Sequence, residues 1–324
     1  MTGTVAIALL LMLFFTLAAC HFLGRARVLL DHPGKRSLHS VPTPRTGGLA
    51  MNAVLLGAVV AAWALAPGLL PGALWLGGWL LVVAVSAADD LADVSPFIRL
   101  KIHLLAAALV VIAAGPANWF IALIGVLSLS WFVNLFNFMD GMDGLAGSMA
   151  LAGSLALAAL GWLGEDLAFF VQSLAVAAVV AGFLPHNLPP ARIFMGDAGS
   201  AGLGILLGGL SWMGVSKGLF PWQAPILIFL PFLVDATLTL LIRMLRRKRI
   251  WEAHREHAYQ ALVLKGWNTR RALSVELGII SPCAVMGVLT FLYPGLGTAM
   301  LLAALGILVI LYFRAVTEAQ HTKD

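Results

Sequence analysis

Apolar runs close to the roughly 20 residues that a bilayer-spanning helix needs follow one another almost without pause along this chain. They predict about eleven transmembrane helices, over roughly 4–23, 47–66, 73–88, 100–114, 118–136, 145–163, 167–184, 199–215, 222–242, 272–292 and 296–313. The second and third are divided only by Pro67-Gly68-Leu69-Leu70-Pro71-Gly72. Four short polar clusters interrupt the pattern: Asp89-Asp90-Leu91-Ala92-Asp93, Asn134 to Gly144, Phe194 to Ser200, and His254 to Gln260. An ionisable group in or beside hydrocarbon is costly, so its first reading is functional.

Composition strengthens the membrane reading. Hydrophobic residues make up 61% of the 324 and charged residues 11%, against about a quarter charged in soluble domains. Mean hydropathy is +0.96. The expected fold class is all-α, a single polytopic bundle over 1–324 with its site at the cytoplasmic face. Cys20 and Cys283 both sit in apolar runs, which excludes a disulfide framework and a cysteine metal site. The run from Val5 to Leu23 lacks a basic segment ahead of it and is followed by Arg25 and Arg27, so it reads as a retained span rather than a cleaved leader.

The net charge of +5 matters less than where the charges fall. With alternate loops on opposite sides, one side holds Arg25, Arg27, Lys35, Arg36, Arg45, Arg99, Lys101, Arg192, the Arg243 to Arg249 cluster, Arg255, Lys265, Arg270, Arg271, Arg314 and Lys323. The other side holds Lys217 alone. The positive-inside rule makes the first side cytoplasmic and the N-terminus periplasmic. All four polar clusters then share the cytoplasmic side. The opposite loops, near Pro116, Glu165-Asp166, Lys217 and Pro294, read as connectors, and Trp63, Trp75, Trp119, Trp162 and Trp222 as anchors at the outer interface.

Asp89 and Asp90 are adjacent carboxylates that repel, so one of them needs a cation or a raised pKa. Asn134, Asn137, Asp140 and Asp143 recur every three residues and so share a helix face that runs into a turn at Gly141. Their oxygens suit Mg²⁺, and free N–H groups at the start of the next helix suit a nucleotide diphosphate. Asp197, in Gly-Asp-Ala-Gly-Ser, reads either as a helix cap or, beside the other acids, as a metal ligand. The basic loop from Arg243 to Arg271 suits anionic lipid headgroups, while His254-Arg255-Glu256-His257 within it offers donors for phosphate oxygens. Two imidazoles without a third ligand make a poor zinc site. Asp235 reads equally as half of a buried ion pair or as a site residue, and His21, His103 and His186 as interfacial or structural. Together the clusters describe a Mg²⁺-dependent site for moving phosphoryl groups at a membrane surface.

These residues resemble the polyprenyl-phosphate N-acetylhexosamine-1-phosphate transferases. The resemblance spans most of the chain: Pro42-Thr43-Pro44-Arg45-Thr46-Gly47-Gly48, Asp89-Asp90, Asn134-x-x-Asn137-x-x-Asp140-Gly-x-Asp143-Gly-Leu, Phe194-Met-Gly-Asp197-x-Gly-Ser, Pro231-x-x-x-Asp235 and the basic loop. It implies transfer of a sugar-1-phosphate from a UDP-sugar to undecaprenyl phosphate at the inner membrane of a bacterium, with release of UMP. The partners it implies are those two substrates and membrane lipid, with a homodimer left open and no nucleic acid. It further implies Mg²⁺, with Mn²⁺ as an alternative, on Asp197 and Asn137, and catalytic roles for Asp89, Asp90 and Asp197. Arg45, Thr46, Arg99, Asn134, Asp140, Asp143, His254, Arg255 and His257 would bind substrate. The last loop, His254-Arg-Glu-His257-Ala-Tyr-Gln, looks like that of the short O-antigen-initiating branch rather than the peptidoglycan branch.

Attack of one phosphate on another meets like-charge repulsion, which a cation and nearby Arg or His side chains offset. The competing class is an ion-coupled transporter. Transporters place such acids near the bilayer midplane within repeated halves, whereas here they fall at span ends and no halves repeat.

Overall fold

The computed structural model describes residues 2–34, 41–249 and 254–317. Lys35, Arg36 and Lys323, assigned above to the basic side, lie outside these. Thirteen α-helices form among the described residues: α1 Thr2–Ala26, α2 Gly47–Leu65, α3 Ala73–Ala92, α4 Pro96–Ala113, α5 Trp119–Phe138, α6 Leu145–Leu163, α7 Leu167–Asn187, α8 Asp197–Ser216, α9 Gln223–Ile228, α10 Leu230–Leu245, α11 Ala258–Leu264, α12 Thr269–Leu292 and α13 Gly297–Thr317. Helices are the solution that satisfies every backbone polar group within an apolar segment. Two two-residue strands, β1 Leu30–Asp31 and β2 Thr43–Pro44, pair antiparallel and tie the first loop together.

Ten of these helices, α1 to α8, α12 and α13, are long and apolar enough to cross a bilayer. The expected span at 222–242 forms as two helices instead, α9 and α10, interrupted at Phe229. Pro231 lacks the N–H that would continue the first helix and sits in the opening turn of the second, where proline is tolerated.

Helix ends depart from the hydropathy pattern where the site lies. Helix α3 continues through Asp89 and Asp90, α4 starts early enough to carry Arg99, and α8 starts at Asp197 itself. Charged residues end an apolar run sooner than they end a helix.

Helix α8 is the hub, buried along most of its length against α2 through α7. Its glycines make that possible, because helices in hydrocarbon associate through close packing rather than the hydrophobic effect. A Cβ on Gly48 would sit 2.2 Å from the Gly199 amide nitrogen, and one on Gly204 would sit 2.8 Å from Val133 Cα. Trp75 belongs to this packing. It is 5% exposed, against the face of α8 at Gly209, and not an interface anchor. Trp63, Trp119, Trp162 and Trp222 are exposed as expected. At the end of the bundle away from the acid clusters, Lys217 pairs with Asp166 at 2.9 Å.

Candidate active site

The polar clusters meet at one end of the bundle, and Asp90 is the hinge of the arrangement. From the last turn of α3 it accepts hydrogen bonds from the backbone N–H groups of Asp197 and Ala198 at 3.2 and 3.1 Å. It thereby caps α8 from another helix, opposite the positive end of that helix dipole. Gly196 makes the approach possible: its φ is +71°, and a Cβ there would lie 2.7 Å from the Arg45 carbonyl and 3.2 Å from the Asp90 carboxylate. Arg45 donates to the Asp90 carbonyl at 2.6 Å, with a second nitrogen 3.8 Å from its carboxylate.

Asp89, the neighbouring acid, points elsewhere. It accepts from the Val94 N–H at 2.7 Å and pairs with Arg99. The chain turns back at Asp93, whose φ is +46°, so that the first turn of α4 returns over α3. Arg99 then bridges Asp89 to Asp197, 3.0 Å away. The Asp90 side chain is 2% exposed and that of Asp197 36% exposed. Asp90 holds the start of α8, and the Asp197 side chain is the one of the two that solvent can reach.

The stripe on α5 divides. Asn137 donates to Ser200 Oγ at 3.1 Å and lies beside the Asp197 carboxylate. Asn134 turns back to the Ser130 carbonyl at 2.8 Å and lies beside the buried His103 on α4. Asp140 stands in the turn after α5. Burial, then the negative charges of Asp197, Asp90 and Asp143, hold its carboxyl well above the usual range. Asp143 accepts from the Ala191 N–H at 2.9 Å and fixes the loop that leads to Asp197.

The basic loop reaches the same place through Tyr259. Its hydroxyl donates to the Phe138 carbonyl at 3.3 Å, and a Cβ on Gly141 would collide with it. Burial, then Asp235 and Asp140, push that hydroxyl well above its ordinary pKa. Asp235 anchors the loop from α10. It accepts from His257 Nδ1 at 3.0 Å, from the Ala258 N–H at 3.0 and 3.1 Å, from Tyr259 N–H at 3.4 Å and from Thr239 Oγ1 at 3.1 Å. The open alternative at Asp235 therefore resolves to a buried pair whose partner is His257. Arg243 pairs with Glu256 instead. Burial would raise the Glu256 carboxyl, but Lys248 and Arg243 hold it below the usual range.

His254 stacks on His257 with ring centroids 5.0 Å apart. Burial, with His257 and Arg243 adding to it, brings its pKa down to about 4, so the ring is neutral at physiological pH. Its Nδ1 and the Arg255 Nε are buried without a hydrogen-bond partner among the described residues.

Several working residues escaped the sequence reading. Asn52 joins three helices, donating to the Gly48 and Ala198 carbonyls and accepting from Trp79; a lone amide in an apolar run was its signal. Ser200 was quoted within a motif without a role, as was Tyr259. The contacts of Asp235 join residues more than twenty positions apart, which no local spacing reveals.

A family model described as glycosyl transferase family 4 matches residues 73–215, the stretch that carries the first three clusters. The chain is 29% identical over 267 residues to the probable undecaprenyl-phosphate N-acetylglucosaminyl 1-phosphate transferase of Bacillus subtilis (strain 168), covering 76% of this chain and 73% of that one. It is 28% identical over 345 residues to the decaprenyl-phosphate N-acetylglucosaminephosphotransferase of Mycolicibacterium smegmatis, covering 90% and 84%. Identity to the phospho-N-acetylmuramoyl-pentapeptide-transferase of a Synechococcus strain is 32% over 226 residues, 63% of this chain and 66% of that one. With these matches, and with its polar clusters converging at one end of an all-helical membrane bundle, the chain belongs to the polyprenyl-phosphate N-acetylhexosamine-1-phosphate transferases of glycosyl transferase family 4.

Proposed function

We propose that this protein transfers an N-acetylhexosamine-1-phosphate from a UDP-sugar to undecaprenyl phosphate, releasing UMP and starting an O-antigen or related envelope polysaccharide. The observation that carries the proposal is the junction of Asp197, Asp89 and Arg99, with Asp140 beside it, at a helix end reached by a loop that carries a neutral His254 and a part-buried Arg255. The carboxylates suit a hard cation. Among the described residues no three His, Cys, Asp or Glu side chains close on one point, which fits an ion held by one or two carboxylates and completed by substrate phosphates and water. Asp197, with Asn137 beside it, would hold Mg²⁺ or Mn²⁺. When bound, that ion supplies charge neutralisation between the two phosphates.

The chain's own groups do the rest. Asp90 fixes the start of α8 and so the position of Asp197, and Arg99 orients Asp197 against Asp89. His254 and Arg255 offer donors to the donor pyrophosphate, on a loop that Asp235 and Tyr259 hold against the Asp140 turn. Asp89 is the acid beside the acceptor phosphate. Purified protein incubated with a panel of UDP-sugars and undecaprenyl phosphate should release UMP with at least one N-acetylhexosamine donor. Absence of UMP across the panel at millimolar Mg²⁺ would sink the reading.

The site end faces the cytoplasm in this proposal, since Arg270, which bonds to the Pro189 carbonyl, and Lys265, which bonds to the Ala315 carbonyl, lie there while Lys217 lies at the other end. In a background without Cys20 and Cys283, Val41→Cys should label only from the cytoplasm and Glu165→Cys only from the periplasm. Labelling of both from one side would refute the orientation.

A further inference from the structure

Helix α10 carries a polar stripe that the transfer reading leaves partly unused. Asp235, Thr239 and Arg243 stand four residues apart and so share one face, and all three are buried, at 7%, 1% and 5% exposure. Polar side chains are expensive in an apolar segment and mark function. Asp235 meets His257, and Arg243 meets Glu256. Thr239, between them, reaches the last helix, where its hydroxyl lies 2.9 Å from that of Tyr312 on α13. Tyr312 is 4% exposed and belongs to a second apolar cluster with Leu230, Val234, Ala304 and Leu308.

Counting hydrogens fixes the direction of these bonds. The Asp235 carboxylate accepts from the Ala258 and Tyr259 N–H groups, from His257 Nδ1 and from Thr239 Oγ1. The imidazole hydrogen therefore sits on Nδ1, and the single hydroxyl hydrogen of Thr239 points at the carboxylate. Tyr312 is then the donor in its bond to Thr239, which also gives a buried phenol the partner it needs. Left alone, a helical Thr hydroxyl turns back to the carbonyl four residues earlier, here that of Asp235 itself. Tyr312 holds the acceptor side of that hydroxyl and leaves its hydrogen to the carboxylate.

His257 is the far end of this run and the support of the loop. Its ring stacks between His254, with centroids 5.0 Å apart, and Tyr259, at 5.7 Å. Helix α13 also holds the other end of α11, where Lys265 donates to the Ala315 carbonyl at 2.8 Å. From one turn, α13 thus reaches both ends of 257–265. We infer that Tyr312 and Thr239 are positioning residues for the sugar donor: through Asp235 they fix the plane of His257, and with it the His254 and Arg255 donors. The inference rests on the proposed role of that loop in holding the pyrophosphate of a UDP-sugar.

In the purified full-length protein, Tyr312→Phe removes one hydroxyl and keeps the ring. It is expected to raise the KM for UDP-sugar about fivefold, the scale of one neutral hydrogen bond, with kcat, the acceptor KM and Mg²⁺ activation near wild type. Thr239→Val removes a donor to a carboxylate and should raise the donor KM about tenfold or more, while Thr239→Ser should keep it near wild type. The double variant separates a relay from packing. If Tyr312 acts through Thr239, adding Tyr312→Phe to Thr239→Val changes the donor KM no further, whereas independent effects multiply. Tyr293→Phe, which removes an exposed hydroxyl just past the end of α12, should change nothing. Multiplying effects, an equal rise in the acceptor KM, or Thr239→Ser as impaired as Thr239→Val would overturn the inference. Titration calorimetry with UDP needs no turnover and so distinguishes this inference from the transfer reading. Weaker UDP binding by Tyr312→Phe, in a protein that never releases UMP, would support the positioning role and sink the transfer. UDP affinity unchanged by Tyr312→Phe, in a protein that does release UMP, would do the reverse.

Discussion

Asp197→Asn is expected to cut turnover by about 100-fold or more, the scale for removing one group aimed at the charge of a reaction centre, and to shift Mg²⁺ activation to higher concentration. The substitution keeps the size of the side chain and removes its charge. It leaves folding largely alone, because α8 is capped at its first backbone N–H groups by Asp90, not by the Asp197 side chain. A melting temperature close to that of the wild type, together with lost activity, is the expected pair of results. Asp93→Asn makes the comparison, since Asp93 acts through its backbone conformation at the end of α3. Near wild-type turnover of Asp197→Asn at ordinary Mg²⁺ would show that this carboxylate is no metal ligand.

Residue spacing carried the reading a long way, and it stopped where contacts became non-local. The bundle was legible because apolar runs near 20 residues leave helices as almost the only solution. The meeting of the clusters was legible from charge asymmetry, which assigned them to one side before any distance was known. What spacing could not give was the division of labour between Asp89 and Asp90. They are adjacent in sequence, but one is buried against the start of α8 and the other is bridged by Arg99 to Asp197. The same holds for Asn134 and Asn137, which share a helix face yet turn to different neighbours. The break at Phe229 was masked because α9 and the start of α10 together read as one apolar run. Trp75 looked like its exposed counterparts until the glycines of α8 gave it a place inside.

Asp235→Ala should disable the enzyme by a different route, through the loop rather than the ion. The Asp235 carboxylate is 7% exposed and accepts from an imidazole, two backbone N–H groups and a hydroxyl. Removing it strands those donors in a buried place, at a cost of about 3 to 5 kcal/mol by analogy with a broken buried pair. It is opposed by the packing of the short α11 against α12 and α13, where Tyr259 and Ala261 are buried, and by the Tyr259 hydroxyl and the Lys265 bond to the Ala315 carbonyl. The expected result is release of 254–264 from the bundle, seen as faster tryptic cleavage at Arg255 and Lys265, with a higher KM for UDP-sugar. Asp235→Asn, which keeps an acceptor for the backbone N–H groups but loses the charge facing His257, should fall between the two. Mg²⁺ activation separates this from the effect at Asp197: it should stay near wild type in the residual activity of Asp235→Ala, since Asp197, Asn137 and Arg99 do not depend on the loop. Unchanged proteolysis and donor KM in Asp235→Ala would mean that the loop is held by something other than this carboxylate, and a shift in Mg²⁺ activation would mean that loop and ion site form one unit.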